Sequence, residues 1–103
     1  MMKKKPTRPF NETRKELLKD TKIAAKYLEE ILADGDMDLF TAALKDVAEA
    51  RLGGVSALSQ KTELNRQQLY KTLSKHGNPR LDTLSQVLHA VGLRVSVKPE
   101  ARL

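Results

Sequence analysis

An all-α fold is what this sequence predicts, on three observations. Apolar residues recur at helical spacing in two long segments between Asp20 and Leu52 and again in one shorter segment over 81–91. Two brief amphipathic segments, 55–62 and 66–73, are joined by about three residues, the arrangement of a helix-turn-helix. Strand-like alternation is confined to Leu93-Arg94-Val95-Ser96-Val97. The expected architecture is five helices with an N-terminal helical extension and one short C-terminal β-strand. It divides into a basic flexible arm over 1–19, a helical domain over 20–92 and a strand with its tail over 93–103.

Each element has its own signal. Residues 1–12 hold two prolines, clustered charge and no apolar period, so they read as a loosely held arm. Asp20 is a good N-cap for a helix over 21–33, whose Ala24, Tyr27, Leu28, Ile31 and Leu32 share one face. Asp34-Gly35-Asp36 ends it: Gly35 tolerates positive φ, and Asp36 can cap the next helix. That helix, over 37–52, lines up Leu39, Phe40, Ala43, Leu44, Val47 and Ala48, and Gly53-Gly54 stops it. His76-Gly77-Asn78-Pro79 is a turn by composition. The last helix carries the stripe Leu81, Leu84, Val87, Leu88 and Val91, closed by Gly92. One strand alone is not stable in water, so 93–97 is expected to pair with its copy in a homodimer or to join a partner's sheet.

Composition narrows the function classes. The chain has 103 residues, enough for one core, and 40% of them are hydrophobic with few aromatics, so that core is aliphatic. Without cysteine there is no disulfide, thiol nucleophile or thiolate metal site. No run of about 18 apolar residues is present to span a membrane. The basic start runs into Pro6-Thr7-Arg8-Pro9 with no apolar stretch behind it, unlike a secretion signal, so the cytoplasm is the expected location.

The net charge of +6 is unevenly spread. Residues 1–15 carry +5, residues 16–53 carry −4, and residues 54–80 carry +4. Basic blocks of this size suit the neutralisation of phosphates. For 1–15 a solubilising tail is an equal reading. The block over 54–80 coincides with the paired short helices, which favours double-stranded DNA as the partner.

Within that pair, Leu58, Leu64 and Leu69 fall where the two helices must bury side chains, and Ser59 is small where they approach. Asn65 can cap the second helix. Outward on that helix remain Arg66, Gln67, Gln68, Tyr70 and Lys71, with Lys75 just beyond. Arg pairs with guanine and Gln with adenine in bidentate fashion, and the first turn of a recognition helix reaches base edges. Arg66, Gln67 and Gln68 are therefore expected to read sequence, and Gln60, Lys61, Lys71 and Lys75 to position the backbone. Glu63 stands at a turn position that favours glycine, because positive φ is uncomfortable for a residue with a Cβ.

Further segments carry a resemblance. They are Ala24-Ala25-Lys26-Tyr27-Leu28, Gly35-Asp36, Ala43-Leu44-Lys45-Asp46-Val47-Ala48, Leu69-Tyr70-Lys71-Thr72-Leu73-Ser74, Gly77-Asn78-Pro79 and Leu88-His89-Ala90-Val91-Gly92-Leu93. At these separations the sequence resembles the HigA-like addiction module antidotes, which carry a phage-repressor (Xre/Cro-type) helix-turn-helix. The resemblance covers about residues 20–97, and Glu63 departs from the glycine usual there. It implies a phage-repressor-like five-helix domain, a RelE- or ParE-like toxin masked by this chain, a dimer, and repression of its own promoter. The acidic segment over 16–53 is consistent with a basic toxin. A free-standing phage-type repressor and a protein-interaction module without DNA binding are the alternatives.

Other chemistries have no constellation. His76 and His89 lack metal-ligand company. Asp34, Asp36 and Asp38 lack the rest of a calcium loop. Ser56, Ser59 and Ser74 have no base in reach of the pattern, and Gly53-Gly54 is a helix stop rather than a phosphate loop. A non-enzymatic protein without cofactor or metal is expected.

Overall fold

The structure, a computed structural model, describes residues 7–74 and 78–101, with side chains from Glu12 onward. Six helices follow one another among the described residues: α1 Thr7–Leu18, α2 Thr21–Asp34, α3 Met37–Leu52, α4 Val55–Lys61, α5 Arg66–Thr72 and α6 Leu81–Ala90. The caps read from the sequence are in place. Asp20 accepts from the N–H groups of Lys22 (2.8 Å) and Ile23 (3.2 Å). Asp36 accepts from Leu39 N–H at 3.0 Å. Each satisfies a donor that the first turn of a helix leaves unpaired. Gly35, at φ 82°, turns the chain between α2 and α3 in the left-handed region, where a side chain would be strained.

Helix α3 is the centre of the molecule, in contact with α1, α2 and α4. Its Ala43, Leu44, Val47 and Ala48 are almost wholly buried, and the core continues through Leu58, Leu69, Leu73, Val87 and Val91. Small alanines alternate with leucine and valine on α3, which lets neighbouring helices approach closely and interdigitate. Thr41 is buried as well, and its Oγ1 donates to the Asp38 carbonyl at 3.0 Å, so the hydroxyl is not left unsatisfied.

Two expectations differ from what is found. A helical extension is expected before the five helices, within an arm read as flexible over 1–19. Residues 7–18 form α1, which makes six helices among the described residues, and residues 1–6 of the arm lie outside them. Leu18 is buried in the core. Arg14 Nη1 lies 3.0 Å from Asp46 and Lys15 Nζ 3.8 Å from Glu49, so basic residues of α1 meet acidic ones of α3. Tyr27 of α2 lies at that seam, where both Arg14 and Asp46 act on its phenol. The prolines that argue against a helix there are compatible with one, since Pro9 falls in the first turn, where no N–H is required. The second difference is the C-terminal strand: residues 93–100 form neither helix nor strand and join no ladder among the described residues. A strand needs a neighbour, and a single chain offers none.

Candidate nucleic-acid interface

Helices α4 and α5 are each seven residues long, too short to be stable alone, and each is fixed by one leucine with no exposed surface, Leu58 and Leu69. The connection between them is held by side chains. Thr62 Oγ1 donates to the Leu58 carbonyl (3.0 Å) and accepts from Leu64 N–H (3.2 Å). Ser59 Oγ donates to the Leu64 carbonyl at 2.8 Å. Asn65 then caps α5, accepting from Gln68 N–H at 2.7 Å.

That bonding answers the question raised by Glu63. Asn78 is the non-glycine residue with positive φ among those described, so Glu63 is in an ordinary backbone region. The turn is closed by Thr62 and Ser59 rather than by a left-handed residue. Glu63 itself is exposed.

The structure brings the sequence-derived candidates to one exposed region. Gln60 and Lys61 end α4, Asn65 caps α5, and Arg66, Gln67, Gln68, Tyr70 and Lys71 lie along α5, all exposed. Lys75 lies outside the described residues, as do His76 and Gly77 of the expected turn. One contact was not foreseen: Arg66 Nη1 donates to Ser56 Oγ at 3.2 Å, joining the first turns of α4 and α5. The place of Ser56 in the first turn of the preceding helix is the trace of this contact in the sequence. Arg80, another exposed cation nearby in sequence, pairs with Asp82 at 3.1 Å. That hydrogen bond holds the Asp82 carboxyl below its usual range.

A protein-family model described as "probable addiction module antidote protein" matches residues 7–99. The chain belongs to this family. An uncharacterized protein of Haemophilus influenzae is 38% identical to it over 72 residues, 70% of this chain and 72% of the relative. No solved structure matches it.

Membership of the antidote family makes this chain an antitoxin-type protein and implies a toxin partner of some kind. The match begins at Thr7, so it takes in α1 as well as the α4–α5 pair. Among the described residues, no three His, Cys, Asp or Glu side chains gather as metal ligands. Asp36, one of the three aspartates with calcium-like spacing, is occupied as a helix cap. No described helix is long and apolar enough to cross a membrane.

Proposed function

We propose that the chain is the antitoxin of a type II toxin–antitoxin module, which neutralises a RelE- or ParE-like toxin in the cytoplasm and represses its own operon as a homodimer. DNA recognition is assigned to α4 and α5 acting as a helix-turn-helix, without catalysis or a cofactor. The observation that carries this reading is the exposed first turn of α5. Arg66, Gln67 and Gln68 follow a cap that fixes their backbone, on a buried leucine anchor, inside a segment of net charge +4. Bidentate donors and acceptors in the first turn of such a helix suit base edges in the major groove. Gln60, Lys61, Tyr70, Lys71 and Lys75 then serve the phosphates.

The exposed acidic residues of α2, among them Glu29, Glu30 and Asp34, give a basic toxin a surface away from α5.

The deciding experiment is a mobility shift on the chain's own promoter. Wild-type protein is expected to bind, and the variant with Arg66, Gln67 and Gln68 all replaced by Ala to lose sequence preference while keeping its helical content. Equal binding by both would overturn the assignment to α5. Co-expression with the adjacent gene tests the toxin: a purified complex supports it, and an adjacent gene without toxicity supports a free-standing repressor.

A further inference from the structure

Residues 93–98 follow α6 as a segment without helix or strand, bounded on both sides. Gly92, at φ 89°, closes the helix, and Pro99 has no N–H to continue a ladder. Leu93 N–H bonds to the Leu88 carbonyl at 2.8 Å, and beyond it no backbone hydrogen bond engages 94–98 among the described residues. The five residues 94–98, their backbone unpaired among the described residues, form a ready template for a second strand of ordinary length.

The side chains say what kind of strand fits. Leu93 packs against the core, Val95 is 44% exposed and Val97 is 93% exposed, so the apolar face of the tail runs progressively out into water. Beside it lies an apolar trough lined by Ala25, Leu28, Leu32, Leu88 and Leu93. Leu32 is half exposed at its rim. Charge is arranged to match: the tail carries Arg94 and Lys98, and the adjoining α2 carries Glu29, Glu30 and Asp34. Lys98 already reaches Glu29 at 3.5 Å.

We propose that this tail is the homodimer interface, in which residues 93–98 of two copies pair antiparallel about Val95 and each Val97 closes the trough of the other copy. The inference deepens the dimeric reading above and rests on it. Its basis is self-complementarity. A two-fold contact requires one surface to fit itself, and apolar residues at 93, 95 and 97 are symmetric about the middle one. Centred there, Leu93 faces the other copy's position 97 and Arg94 faces position 96, a serine, so no like charges lie directly opposite. A slip by one residue would set apolar against polar side chains, which fixes the register. Two strands alone make a marginal ribbon. Filling the trough adds the apolar burial that such a ribbon lacks.

The chain has no native cysteine, so Val95→Cys gives a clean test on the full-length protein. Residues opposite each other across an antiparallel pair fall within the Cα separations that a disulfide accepts. The expected results are a dimer in analytical ultracentrifugation, near-complete covalent dimer on oxidation of Val95→Cys, and little from Arg94→Cys. Val97→Asp is expected to sediment as a monomer with unchanged helical circular dichroism, because its side chain contributes nothing to the core of one chain. A wild-type monomer in isolation would overturn the proposal, and that outcome includes a tail which pairs only with a toxin's sheet. So would a dimer that survives Val97→Asp and fails to cross-link at position 95. Promoter binding is scored separately: an intact, cross-linkable dimer that ignores DNA refutes the α5 assignment and leaves the interface standing.

Discussion

Arg51 donates its Nε to the carbonyl oxygen of Val91 at 2.6 Å, and Nη1 of the same guanidinium reaches the carbonyl of Lys19. One side chain near the end of α3 thus ties the end of α6 to the turn between α1 and α2. Both acceptors sit at helix ends, where carbonyls lack intrahelical donors. Arg51→Ala is expected to lower the unfolding free energy by about 2 kcal/mol, as hydrogen bonds from a charged donor are lost. Arg51→Lys should restore only part of it, because an ammonium cannot serve two acceptors with a fixed fork. Urea unfolding followed by circular dichroism measures both, and an unmoved midpoint for Arg51→Ala would mean that water replaces the guanidinium without loss.

Asn65 separates folding from binding. Asn65→Ala removes the acceptor for Gln68 N–H and should cost about 1 kcal/mol. Asn65→Asp keeps a capping oxygen and should keep the melting temperature. It adds a negative charge beside the exposed Arg66, so affinity for the promoter is expected to fall. Thermal melts and mobility shifts on the same preparations read the two effects; Asn65→Asp binding as well as wild type would place position 65 away from phosphates.

On α5 the base-reading and phosphate-contacting residues should behave differently. Arg66→Ala is expected to cost about 1–3 kcal/mol of promoter binding and to relax specificity at one base position. Lys71→Ala should weaken binding to all sequences alike and reduce the slope of log affinity against log salt by about 1. Ser56→Ala, which frees the Arg66 guanidinium from its 3.2 Å contact, should reproduce part of the Arg66→Ala effect and leave the salt slope alone. Titrations at several salt concentrations distinguish these patterns, and a changed slope in Ser56→Ala would contradict a positioning role.

Much of this was legible before any coordinates, for local reasons. Asp20, Asp36 and Asn65 cap helices through bonds spanning two or three residues, and such bonds leave a direct trace in sequence. The exposed face of α5 was legible because Leu69 fixes which side is buried. Long-range facts were not. Helix α1 is held by Leu18 and by pairs such as Arg14 with Asp46, thirty-two positions apart, while Pro9 and the helix's own charges argue against order. The bond from Ser56 to Arg66 depends on how two helices lie, which spacing alone does not give. At Glu63 the sequence showed a departure from glycine, and how the turn closes instead depends on the side chains of Thr62 and Ser59.

Tyr27 predicts an alkaline limb of stability. Burial raises its pKa, Arg14 opposes that, and Asp46 adds to it through its charge and by accepting the phenol's hydrogen bond. The folded chain therefore favours the neutral phenol. Its contribution is complete below the unfolded value of about 10 and is lost as pH rises through the higher folded value. Unfolding free energy should decline above about pH 10 in the wild type. Tyr27→Phe, which cannot ionise, should show a shallower decline over the same range. Identical slopes in denaturant titrations across that range would exclude Tyr27 as the source.

Helix α3 is in contact with α1, α2 and α4, and α4 in turn with α5. The helices that bear the acidic residues and the pair that bears the basic ones therefore share one buried support. A cavity opened at Leu44 or Val47 is expected to loosen both surfaces together, because each is seated through the same helix.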